Sequence, residues 1–206
     1  AKTVRLLVNM KKIMICILFV LFGTSVSLAQ DTNKGMEAFQ IGDYATAMKE
    51  FQPLAELGDA DAQIKLGIMY EYGLGVVKDA TNAAKWYLLA AEHGNASTQY
   101  KLGLMYKEGT GVLQDYAKAL KWYQLSADQG NETAQALLGL MYEEGNGVLK
   151  DNVTAHMWYN ISSANGQKTA GENRDKLAGL MTPNAIEKAT AMARECMKSD
   201  YKNCGY

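Results

Sequence analysis

The chain has 206 residues, is 48% hydrophobic, and combines only two prolines with 19 glycines, a composition that fits a folded domain and excludes a disordered or low-complexity one. Its formal net charge is −1; residues 1–29 hold four Lys/Arg and no acid, which leaves 17 basic against 22 acidic residues in the remainder. A net charge near −5 there argues against a nucleic-acid partner, which calls for a basic stripe, and against an electrostatic hold on anionic lipid.

The first 29 residues read as a secretory signal peptide. Lys11 and Lys12 precede an apolar run over residues 13–22, and a small-x-Ala ending closes at Ala29. The run is too short for a membrane span. Met10 fits as the start of this leader. The expected product is a periplasmic or secreted chain of residues 30–206 with no membrane span. A retained N-terminal anchor is the alternative.

Residues 34–61 predict a shortened helix pair. Counting back 36 positions from the next unit, Asp43 falls on Asp79, Ala47 on Ala83, Phe51 on Tyr87 and Gly58 on Gly94. A tight turn at residues 41–44 replaces the longer loop of the later units. Pro53 lies inside the second helix, where it is expected to interrupt or kink it.

Three whole units follow, at 62–97, 98–133 and 134–169, with a period of 36 residues and no slip. In each, an apolar face such as Ala62, Leu66, Met69 and Tyr70 predicts a first helix. Gly67, Gly103 and Gly139 sit inside that helix, where glycine costs about 1 kcal/mol relative to alanine. Its recurrence implies a neighbouring helix packed too closely for a Cβ. Gly73, Gly109 and Gly145 end the helix as left-handed caps. Asp79, Asp115 and Asp151 then cap the second helix, which buries Ala83, Tyr87, Ala90, Ala91 and their counterparts. Asn95 and Asn131, like Asp59, cap the next first helix. After Gly166 the pattern lapses. Residues 170–200 predict two closing helices, the last introduced by Thr182 as N-cap and Pro183 at its first position.

The pattern A-x3-L-G-x2-Y-x2-G-x-G-V-x2-D-x3-A-x2-W-Y-x2-A resembles the Sel-one-like repeat family, relatives of tetratricopeptide repeats, over residues 34–202. The resemblance implies an all-α, right-handed solenoid of about five stacked helix pairs. It also implies a non-catalytic scaffold or adaptor that binds a protein or peptide.

Other chemistry finds little support in the residues. The Gly-x-Gly loops end helices instead of opening them after a strand, so they are turns and not phosphate cradles. His93 and His156 are almost two units apart and have no cysteine or carboxylate cluster at metal-ligand spacing. No cofactor and no catalytic set is indicated. Some cysteine-rich members of the resembled family bind or hydrolyse β-lactams, but they carry a cysteine pair in each repeat, and the three whole units here contain none. That enzyme reading is the alternative function. Loss of Cys16 with the leader leaves Cys196 and Cys204 as the only cysteines, and export predicts a disulfide between them.

The expected partner surface is a groove lined by the first helices, at positions that differ between units: Ile64, Tyr100 and Ala136; Lys65, Lys101 and Leu137; Tyr72, Glu108 and Glu144. Substitutions at Tyr100 or Lys101 are expected to leave stability nearly untouched, as at other surface positions. The expected state is a monomer. For the leader, intact mass or N-terminal sequencing of exported protein is expected to show a chain beginning at Gln30; a full-length, membrane-retained product would favour the anchor.

Overall fold

The computed structural model describes residues 32–202 and Cys204; the leader and its cleavage site lie outside the described residues. Among those residues there are ten helices and no strand, an all-α solenoid of helix pairs. Helix α1 covers residues 32–40 and α2 Tyr44–Glu56. The three whole units contribute α3 Ala60–Tyr72 with α4 Ala80–Glu92, α5 Ala96–Glu108 with α6 Tyr116–Ala127, and α7 Glu132–Glu144 with α8 Asn152–Ala164. Helices α9 Lys168–Ala178 and α10 Pro183–Lys198 close the chain. Pro53 does not break α2, which runs through it to Glu56.

The caps arise from the repeated residues. Asp59, Asn95 and Asn131 each accept the amide N–H three residues on, at 2.8, 2.9 and 2.9 Å. Asp79, Asp115 and Asp151 serve the second helices in the same way. Gly73, Gly109 and Gly145 adopt φ of 72°, 71° and 78°, so each first helix ends in a left-handed residue that an L side chain would strain.

Within a unit, the two helices meet where an aromatic ring lies on a glycine. A Cβ on Gly67, Gly103 or Gly139 would fall 2.6, 2.7 and 2.6 Å from the ring of Tyr87, Tyr123 and Tyr159. The shortened unit repeats the contact with Gly35 against Phe51, at 2.7 Å. Gly35 lies 32 and not 36 residues before Gly67, because the tight turn removes four residues between the helices. Counting back by the full period therefore misses it.

Two devices join one unit to the next. The second loop glycine, at φ near +70°, sits against the start of the previous unit's second helix: a Cβ on Gly111 would lie 2.0 Å from the carbonyl oxygen of Ala80, and one on Gly147 would lie 2.6 Å from the backbone of Tyr116. In addition, the buried Gln63, Gln99 and Gln135 donate through Nε2 to the carbonyls of Ala55, Ala91 and Ala127, at 3.1, 3.2 and 3.2 Å. Those carbonyls belong to the last turns of the preceding helices, where the ladder of helical N–H donors runs out.

The closing helices depart from the repeat. Helix α9 packs on α8 as the next first helix would, burying Ala170 and Leu177 with Ala155 and Tyr159. Helix α10 also packs on α8. It runs parallel to α8: Lys188, in its first half, acts electrostatically on Asp151 at the start of α8, and the Tyr201 hydroxyl pairs with Asn165 at its end. Ala189, Ala193 and Cys196 bury against α8 in one cluster with Met157, Trp158 and Ile161. The equivalents of Ile161 in the earlier units, Leu89 and Leu125, are 36% and 37% exposed, whereas Ile161 is fully buried. Met157 replaces the exposed Lys85 and Lys121. Cys196 and Cys204 lie at disulfide distance with Cα atoms 4.4 Å apart, which turns the tail back at the end of α10.

Two outcomes follow from this packing. Gly111→Ala forces both a left-handed alanine and a clash with rigid backbone, and is expected to cost about 3 kcal/mol or more. Gly94→Ala meets open space and is expected to cost about 1–2 kcal/mol from φ alone. Urea denaturation compares them, and equal costs would show that the loop glycine does not carry the contact between units. Met157→Lys, which restores the residue of the other units, places a charge under α10 and is expected to release that helix. Amide exchange over residues 185–198 should then accelerate at least tenfold, roughly 1.4 kcal/mol, while α3 to α6 keep their protection; unchanged exchange in α10 would mean that α8 does not anchor it.

Candidate partner-binding face

The candidate residues lie on α3, α5 and α7, in a row set by the buried frame beneath them. Leu66, Leu102 and Leu138 are fully buried in this row, and Met69, Met105 and Met141 nearly so. The varying residues between them divide into two groups. Tyr72, at 63% exposure, and Glu108 and Glu144 are exposed at the helix ends, where the Glu144 carboxylate accepts from Asn146 Nδ2 at 2.6 Å. Ile64, Lys65, Tyr100, Lys101, Ala136 and Leu137 are half-buried.

Several members of the second group are engaged. The Lys65 ammonium lies over the Phe39 ring at 4.9 Å. Lys101 pairs with Glu71 at 2.5 Å, which ties α5 to α3, and Glu71 also accepts the Tyr87 hydroxyl at 2.8 Å. Tyr100 packs against the core with its ring 6.2 Å from that of Tyr123, and Leu137 joins the same cluster. Ala136 packs beside Ala155 and Tyr159. Tyr100 and Lys101 are thus part of the packing, a reason to expect that changing them costs stability, unlike a change at a fully exposed position. The helix face turns them partly inward: the tyrosine of the same unit's second helix packs on one, and the previous unit's glutamate reaches the other.

The tyrosines beneath this row stay protonated. Burial raises the hydroxyl pKa of Tyr87 and Tyr159 well above the ordinary range, and hydrogen bonds to Glu71 and Glu143 add to the effect. Burial is also the main cause at Tyr123, followed by the neighbouring Tyr100 and Glu108. His156 is buried, which lowers its pKa and favours the neutral ring. Among the described residues no group of three His, Cys, Asp or Glu side chains converges as a metal site, and no helix is long and apolar enough to cross a membrane.

Sequence reasoning passed over the glutamines. Gln99 accepts from Gln129 at 2.8 Å, and Gln135 from Asn165 at 2.8 Å, so each buried amide bridges two helices. A glutamine recurring every 36 residues at a buried helix position was the available signal.

A row of repeated helix pairs with a buried frame that recurs and surface residues that vary defines an α-solenoid repeat protein. The family model for the Sel1 repeat matches residues 60–95, 96–131 and 133–167, more than half of the chain. The chain belongs to the Sel1 repeat family. Two of the similar solved structures are the following. A Sel1 repeat protein from Oxalobacter formigenes is 34% identical with a TM-score of 0.62, over 70% of this chain and 57% of the other. A protective antigen present in uropathogenic Escherichia coli strains, which displays an SLR fold, is 35% identical with a TM-score of 0.66, over 74% of this chain and 34% of the other. The chain therefore matches about half and about a third of those two proteins. No curated protein matches it significantly. Sel1 repeat proteins are generally protein-interaction scaffolds and typically non-catalytic.

Proposed function

We propose that the protein is a non-catalytic scaffold of the cell envelope or the secreted fraction, which binds a protein or peptide along α3, α5 and α7 as a monomer. The observation that carries this reading is the contrast on one face: the leucines and methionines that recur every 36 positions are buried, whereas Tyr72, Glu108 and Glu144, at one position that changes between units, are exposed. A constant frame with a variable surface lets one fold present a specific arrangement of contacts. Tyr72 supports it, as a large, exposed aromatic ring of the kind that anchors interfaces. The basic, apolar and small-residue order of residues 1–29 supports the export.

The test separates binding from folding. Tyr72→Ala, Glu108→Lys and Glu144→Lys are each expected to change stability by no more than about 0.5 kcal/mol, because they alter exposed positions. Each should reduce capture of the partner from an envelope extract, identified by mass spectrometry. Tyr100→Ala is expected to melt lower, since its ring packs on the core. If the three exposed variants capture normally while Lys85→Glu or Lys121→Glu on the second helices abolishes capture, the binding face is wrongly placed.

A further inference from the structure

The three whole units differ at one chemical point beneath this face. In the first, the buried Tyr87 hydroxyl donates to Glu71 at 2.8 Å, and the Lys101 ammonium pairs with the same carboxylate at 2.5 Å. In the third, the Tyr159 hydroxyl donates to Glu143 at 2.7 Å. The central unit has Lys107 at the corresponding position. Its Tyr123 is fully buried, and its hydroxyl has no hydrogen-bond partner among the described residues. Among those residues Lys107 forms no salt bridge, and Leu137 stands 30 residues on, where Lys101 meets Glu71. The central unit thus holds a hydroxyl donor and, at the position of the missing carboxylate, a lysine, with no carboxylate hydrogen-bonded to the hydroxyl.

A buried hydroxyl left without a partner carries a desolvation cost that an arriving acceptor recovers. The acceptor that fits is anionic, because Lys107, which forms no salt bridge among the described residues, stands at the helix position from which Glu71 and Glu143 reach their tyrosine hydroxyls, and charge-assisted hydrogen bonds are the stronger kind. We propose that the central unit binds a carboxylate of the partner, from an acidic side chain or a chain terminus, between the Tyr123 hydroxyl and Lys107. This rests on the first-helix row being the binding face, and it names the chemistry of the contact at its centre. Tyr100, half-buried on that face with its ring 6.2 Å from that of Tyr123, would have to turn aside to admit the group. Glu108 lies close enough to act on Tyr123 and opposes the arriving anion, so the preference depends on Lys107 offsetting it.

The test has two arms. In the free protein, Tyr87→Phe and Tyr159→Phe each lose a hydrogen bond and are expected to melt roughly 2–4 °C lower. Tyr123→Phe loses none and should melt at or above the parent temperature. Lys107→Glu recreates the flanking arrangement and should melt higher. An equal fall for all three tyrosine variants would mean that the Tyr123 hydroxyl is already satisfied, and overturns the proposal.

The second arm titrates acetylated, amidated Ala-Ala-Glu-Ala-Ala and its Gln counterpart against labelled protein, with amide NMR shifts in α5 and α6 as the readout. The Glu peptide is expected to bind about tenfold more tightly, and Tyr123→Phe or Lys107→Glu should erase the difference. Acetylated penta-alanine with a free C-terminal carboxylate distinguishes a chain terminus from a side chain: tighter binding of that peptide than of the Glu peptide assigns the site to a chain end. Equal binding of the Glu and Gln peptides on α3, α5 and α7, with no gain from the free terminus, overturns the carboxylate and leaves the face. Shifts confined to α4, α6 and α8 overturn both. Absence of binding by all three peptides overturns the carboxylate site, while the capture experiment still decides the face.

Discussion

Each helix pair depends on the contact between a first-helix glycine and the ring of a second-helix tyrosine. A methyl group on Gly67, Gly103 or Gly139 would enter that ring, so the helices reach this distance only with glycine. The helix accepts a propensity cost of about 1 kcal/mol for it. In return the ring becomes almost wholly buried, and the leucines and methionines around it close into a core. The shortened first unit satisfies the same constraint with Gly35 and Phe51. A phenylalanine suffices there because its ring reaches the glycine without a hydroxyl to satisfy.

The units then hold one another through short, repeated links and not through one common core. A loop glycine sits on the start of the previous second helix, and a buried glutamine closes the end of the preceding helix. Both links join neighbours only, so stability is close to a sum of units and interfaces. The same arrangement leaves residues between the links free to differ. That is how Glu71, Lys107 and Glu143 can occupy one position in three consecutive units without disturbing the fold.

The C-terminal end shows how such an array stops. A repeat that continued would leave the apolar face of α8 open to water. Helix α10 covers it instead, with alanines at 189 and 193 that let it approach closely and a cysteine pair that secures its end. The face beneath has changed to suit, with Val153, Met157 and Ile161 along the side that α10 covers, and a methionine where the earlier units carry lysine. An apolar stripe on a helix that should be a plain repeat was therefore a legible sign of a covering element, although it did not name which one.

The sequence by itself determined the helices, their caps, the period and the family, because those follow from local chemistry repeated every 36 residues. A glycine at a left-handed position or an aspartate before a helix means the same thing in every unit. It also pointed to the pairing of Cys196 and Cys204, which lie only eight residues apart at the end of the chain and stand at disulfide distance in the fold. The tertiary structure decided what depends on neighbours in space. It placed α10 on α8, turned Tyr100 inward onto Tyr123, and joined Lys101 to Glu71 across two units. It also left the Tyr123 hydroxyl without the acceptor that its counterparts have. Each of these turns on which side chain of another helix lies within hydrogen-bonding or packing distance, and a one-dimensional repeat does not encode distances between units.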